Sequence, residues 1–136
     1  MILSTTSQYA IKVLIYMAED NSKLYSVKEL SKILEIPYKY LSKVMTNLSK
    51  KELILAIQGR YGGFKLSKPK EEIKLKDILV ALEDESFKQC VLGGGVCNQK
   101  NKCELHDTWD ESKQTIQKSL LEVTLGELKN KDKKFN

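Results

Sequence analysis

The stretch CVLGGGVCNQKNKCELH runs from Cys90 to His106 and holds all three cysteines of the chain and its only histidine. Their spacing is C-x6-C-x5-C-x2-H. Thiolate and imidazole are the donors that zinc and iron–sulfur clusters take from proteins. Three readings follow. Unliganded thiols beside a coincidental histidine would leave their concentration in one glycine-rich loop unexplained. A Cys3His zinc site is chemically sound, although the usual C-x2-C or C-x4-C knuckle is missing. An iron–sulfur cluster is also sound, because a histidine can replace one thiolate and a long glycine-rich loop can wrap an object wider than one ion. Spacing alone leaves the last two open. A disulfide framework is disfavoured by three cysteines, an odd number, in such a chain. Enzyme chemistry is disfavoured too: there is one imidazole, no standout carboxylate pair and no phosphate-loop motif, so no small-molecule substrate is expected.

Something must hold that stretch, and the chain ahead of it reads as helices. Tyr9, Ala10, Val13, Leu14, Met17 and Ala18 share one helical face. Ser26 followed by Glu29 reads as a capping box opening a second helix, with Val27, Leu30, Ile33 and Leu34 apolar. Pro37 ends that helix and suits the first turn of a third, whose apolar face is Leu41, Val44, Met45 and Leu48. Two short helices with a tight joint make a helix-turn-helix. On the third helix, Tyr38, Lys39, Ser42, Lys43, Thr46 and Asn47 fall opposite the apolar face, with no carboxylate between Pro37 and Lys51. That composition suits a helix laid in the DNA major groove better than a merely solvated face.

A β-prone run at Leu53–Ile57, the turn Gly59-Arg60-Tyr61-Gly62-Gly63 and the return Phe64-Lys65-Leu66 predict a hairpin. After a helix-turn-helix, a hairpin is a wing. Its glycines permit positive φ, and Arg60 and Lys65 would reach the phosphate backbone or minor groove. A short helix with Leu75, Ile78, Leu79 and Leu82 apolar leads into the cysteine stretch. Beyond it, Leu105, Trp109, Ser112, Ile116, Leu120 and Val123 recur in a near-heptad seam, which predicts a long helix seeking a partner, best supplied by a second copy. The tail KNKDKKFN reads as disordered.

Charge divides the same way. Residues 1–76 carry 14 Lys/Arg against 7 Asp/Glu, a balance of +7, and residues 77–136 carry 9 Lys against 11 Asp/Glu, a balance of −2. The first part suits a polyanion and the second does not. The expected fold is mainly α with one small β-hairpin. A winged helix-turn-helix domain at 1–76 would precede a ligand loop and dimerisation helix at 77–136. No apolar run approaches the 18 residues of a membrane span, and the N-terminus has no basic region followed by a cleavage site, so a cytoplasmic protein is expected.

These motifs together resemble the IscR/NsrR family of winged-helix transcription regulators over nearly the full length. The residues that carry the resemblance are QYAIKVL, YKYLSKVMTNLSKKELI, QGRYGGFKL, IKLKDILVALE, the three cysteines with His106, and the late TLGEL. The C-x2-H ending, Trp109 and TLGEL look most like the IscR branch. That resemblance implies a 2Fe–2S cluster on Cys90, Cys97, Cys103 and His106. It also implies a homodimer through the helix near 105–123 and binding to a palindromic double-stranded operator. Tyr38, Lys39, Ser42, Lys43, Gln58, Arg60 and Lys65 would meet the DNA. The chain departs from the pattern at four places. The first cysteine spacing is one residue longer than usual. Gln8 stands where the NsrR branch has an acidic cluster ligand. Gln58 stands where the wing usually has arginine. Ser42 and Lys43 replace the IscR branch's glutamate and glutamine. A nitric-oxide-responsive 4Fe–4S repressor is the alternative within the same fold, and a zinc-stabilised protein-binding adaptor the alternative outside it.

Overall fold

The computed structural model describes residues 3–86 and 104–128, which form five α-helices, two short 3₁₀ turns and one hairpin. α1 spans Thr5–Met17, α2 Val27–Leu34 and α3 Tyr38–Lys50. β1 covers Ile54–Ile57 and β2 Gly63–Leu66. α4 follows at Leu75–Ala81 and α5 at His106–Ser119.

α1 is the hub. Ala10, Val13, Leu14 and Met17 on its inner face are buried, and the helix touches α2, α3, α4 and β2. Leu30 from α2, then Leu41, Val44, Met45 and Leu48 from α3, complete the core at the expected positions. Ser26 caps α2 by accepting the Glu29 N–H at 3.0 Å. The carboxylate of Glu29 goes to Lys23 at 3.0 Å, so only half of the predicted capping box is built. β1 and β2 pair antiparallel, from Ile54 opposite Leu66 to Ile57 opposite Gly63. Tyr25 exchanges two backbone hydrogen bonds with Phe64, tying the wing to the chain ahead of α2. Gly62 is indispensable to the turn, because a Cβ there would lie 2.0 Å from the Ile57 carbonyl oxygen.

The predicted long helix over 105–123 is shorter: α5 ends at Ser119. After Leu120 the chain turns back, burying Leu121 and Leu125 in the same core. Its backbone bonds the start of α4, with Leu75 N–H to Val123 O at 2.8 Å, Lys76 N–H to Leu121 O at 3.0 Å and Leu125 N–H to Ile73 O at 2.8 Å. Lys74 and Glu122 add an exposed ion pair at 2.7 Å. Val123 of the apolar seam therefore belongs to this return rather than to the helix.

α2, α3 and α4 end alike. Glu35, Glu52 and Glu83 stand just past them with φ of 57°, 63° and 55°. The next N–H in each case reaches back five residues, Ile36 to Ser31 O, Leu53 to Leu48 O and Asp84 to Leu79 O. This is the Schellman turn, which usually employs glycine because a side chain is strained in the left-handed region. All three glutamates are exposed. Replacing Glu35 or Glu52 by glycine should therefore raise the unfolding free energy by about 0.5–1 kcal/mol, relief of strain outweighing glycine's greater unfolded freedom. Urea denaturation checks this, and a loss of stability would contradict it.

Candidate functional site

Tyr38, Lys39, Ser42, Lys43, Thr46 and Asn47 line one shallow groove on the outer face of α3. All but Ser42 are exposed, and Ser42 is half-buried. The helix presents them because its other side, Leu41, Val44, Met45 and Leu48, is fixed in the core. The Thr46 hydroxyl donates back to the Ser42 carbonyl at 2.9 Å, which leaves its oxygen as an acceptor. Gln58 and Arg60 are exposed in the wing loop, and Lys65 is half-buried on β2. The Arg60 guanidinium lies 5.7 Å from the centre of the Tyr61 ring. Among the described residues, none of Lys39, Lys43, Arg60 and Lys65 is held in an ion pair. Their charge is thus available to phosphate, while Lys23 and Lys74 are engaged with carboxylates.

Tyr40 also lies on α3 but turns the other way. Its hydroxyl hydrogen-bonds Thr6, and its ring meets Tyr9 edge-on at 5.3 Å and 85°. The N-terminal turn of the groove helix is thereby locked to α1. The groove residues were legible from helical periodicity, whereas this lock was not, because a tyrosine among polar residues gives no sign of its direction.

The metal-ligand candidates divide. Cys90, Cys97 and Cys103 lie outside the described residues. His106 opens α5 and is 6% exposed. Trp109, one turn along the same side, is 8% exposed, and its indole N–H finds no acceptor among the described residues. Gln8 uses its amide to donate to the Leu3 carbonyl at 2.6 Å.

Just before the cysteine stretch lies a polar cluster that the sequence did not announce. The Asp84 carboxylate, 8% exposed, accepts the Ser4 N–H at 3.0 Å and the Ser86 N–H at 2.9 Å. Ser4 in turn donates its hydroxyl to Ser7 at 3.1 Å and caps α1 by accepting the Ser7 N–H at 3.2 Å. α1 has no acidic residue in its own first turn. Asp84, eighty residues away, brings a negative charge to that positive helix end. Burial pushes this carboxyl's pKa up, but the polar hydrogens of Ser7, Ser86 and Ser4 around it outweigh that and hold the group well below the usual carboxylate range.

A helix-turn-helix with a two-stranded wing and a polar groove helix defines the class as winged-helix regulator. The sequence profile of the Rrf2 family, described as iron-dependent transcriptional regulators, matches residues 3–131. The chain belongs to the Rrf2 family of transcriptional regulators. It is 33% identical over 138 residues to the transcriptional regulator NsrR of Oceanobacillus iheyensis, covering 94% of this chain and 89% of that one. Among solved structures it resembles CymR, the global cysteine regulator of B. subtilis, with a TM-score of 0.77 at 20% identity over 93% of this chain and 95% of that one. IscR of T. potens superposes with a TM-score of 0.73 at 21% identity over 98% and 89%. At those identities the two structures speak for the fold. These relatives are regulators rather than enzymes, as the sequence led us to expect. No helix among the described residues is long and apolar enough to cross a membrane.

Two outcomes follow. Lys43→Ala and Arg60→Ala should each weaken DNA binding across sequences and reduce the slope of log affinity against log salt by about 1, if each contacts one phosphate. Gel-shift titrations at several salt concentrations check this; wild-type affinity at every salt level in both variants would contradict it. Asp84→Asn should lower the unfolding free energy at neutral pH by about 1.5–3 kcal/mol, the range for hydrogen bonds to a charged group. Because the folded pKa is depressed, that difference is full above the ordinary value of 3.8 and shrinks as pH falls below it, where the unfolded chain takes the proton first. Urea denaturation of both proteins between pH 7 and pH 3 measures it, and a gap that widens on acidification would contradict it.

Proposed function

We propose that the chain is a DNA-binding transcriptional repressor that senses iron–sulfur cluster status through a 2Fe–2S cluster held by Cys90, Cys97, Cys103 and His106. The carrying observation is the buried histidine at the start of α5, three residues after the last cysteine. Three thiolates and one imidazole are a sound donor set for such a cluster. Trp109 adds support. A buried N–H without an acceptor is costly, and this one belongs to the residue one helical turn after His106, where a bound group could offer an acceptor. When bound, the cluster supplies a core that oxidants or nitric oxide can destroy. The chain's own part is to present the ligands from an excursion that leaves at Ser86 and returns onto the start of α4 through Leu121–Leu125.

In this reading residues 1–76 read DNA, and residues 77–136 carry the ligands and the contact with a second copy. Tyr38, Lys39, Ser42 and Lys43 enter the major groove, while Gln58, Arg60 and Lys65 of the wing meet the backbone. Leu105 and Leu120, 43% and 41% exposed at the two ends of α5, suit a homodimer contact around a two-fold axis, as a palindromic operator requires. The protein acts in the cytoplasm and needs no small-molecule substrate. The branch nearest IscR is favoured because position 8 holds a neutral amide, a poor iron ligand, instead of a carboxylate, leaving His106 the better fourth donor.

Anaerobic purification tests the proposal. Two irons and two sulfides per chain are expected, with visible absorbance that Cys→Ala at 90, 97 or 103 abolishes and His106→Ala weakens or shifts. Four of each would favour the nitric-oxide-responsive 4Fe–4S repressor. A colourless protein with one tightly held zinc would end the cluster reading.

A further inference from the structure

We propose that Asp84 is a positioning residue of the DNA reader: it ties the entrance of the cysteine stretch to the N-terminus of α1, and α1 passes that position to the groove helix through Tyr40. This rests on the function proposed above and names the route by which the ligand region would reach the DNA.

The route is a chain of hydrogen bonds that ends in a ring contact. Asp84 sits in the turn that closes α4, with its N–H on the Leu79 carbonyl at 2.9 Å. One carboxylate oxygen takes the N–H of Ser86, the last described residue before the cysteines. The other takes the N–H of Ser4, the cap of α1. Ser7, with no exposed surface, accepts the Ser4 hydroxyl at 3.1 Å and donates its N–H back to it at 3.2 Å, fixing that cap. Within the next turn, Thr6 and Tyr9 grip Tyr40. Tyr40 stands between Lys39 and the Ser42-Lys43 pair, in the part of α3 that a helix-turn-helix protein brings to base edges.

Alternative connections are weaker in kind. The return of the chain after α5 bonds the start of α4 and buries Leu121 and Leu125. Those bonds end on the backbone at the start of α4, and the return reaches the core only through apolar packing, which is non-directional and has no single donor–acceptor pair to break. The Asp84 cluster is directional. Each of its hydrogen bonds has one donor and one acceptor in a mostly buried setting, so movement of Ser86 must stretch or break a named bond. An element with two discrete arrangements is what coupling between sites requires.

Hydrogen–deuterium exchange of the full chain, in metal-free and anaerobically cluster-loaded form, tests this for wild type, Asp84→Asn and Tyr40→Phe. In wild type, loading should slow exchange about tenfold in peptides covering 3–10 and 38–43, within the usual range of coupling between sites. In Asp84→Asn, iron per chain should match wild type while the slowing at 38–43 falls below about twofold. In Tyr40→Phe the ring remains but the bond to Thr6 is lost, so 3–10 should respond and 38–43 should not. A full response at 38–43 in Asp84→Asn overturns the proposal. If that variant does not fold, a full response at 38–43 in Tyr40→Phe overturns it alone. A wild type that binds the cluster and changes its DNA affinity, yet leaves 38–43 unaltered, also overturns the route while the sensing function stands. A wild type that takes up no iron overturns the sensing function, and this route with it.

Discussion

Burial of one face of α1 is the constraint on which the other parts depend. Ala10, Val13, Leu14 and Met17 are almost wholly withdrawn from solvent, and α2, α3, α4 and β2 all lean on that helix. Close-packed interiors transmit displacement rather than absorbing it. A helix so placed determines where the groove residues of α3 point and where the turn after α4 sits. Its N-terminus, capped by Ser4 and charged from afar by Asp84, is bonded both to the ligand side and, through Thr6, to the DNA side.

The wing and groove helix gain their chemistry by contrast with that core. On α3 the apolar residues go inward, and what remains outside is hydroxyl, amide and ammonium with no acid to compete. Carboxylates in this part of the chain are placed elsewhere. Glu29 pairs Lys23, while Glu35 and Glu52 close helices in a backbone conformation that glycine would adopt more readily. Strain of that kind, repeated at three helix ends, fits a domain that does not maximise its stability.

Much of this was legible in sequence. The period of Leu41, Val44, Met45 and Leu48 placed the groove stripe opposite, and Pro37 marked the joint, because helix geometry and proline chemistry leave few choices. The glycine turn foretold the hairpin. The end of α5 was not legible. A near-heptad seam through Leu120 and Val123 reads the same whether those residues continue a helix or fold back, and backbone pairing with Ile73–Lys76 decides the matter from fifty residues away. Asp84 was hidden for the same reason: within EDE it looks like surface charge until Ser4 and Ser7 are brought against it. Partners distant in sequence leave no local signal.

The central claim is that the ligand state of the cysteine–histidine stretch governs DNA reading. The direct measurement is DNA affinity on one preparation, before and after anaerobic iron removal and again after reconstitution. The fragment would be selected by the protein from genomic DNA. The account predicts a change of about 5–150-fold that reconstitution reverses. Equal affinity in all three states would contradict it.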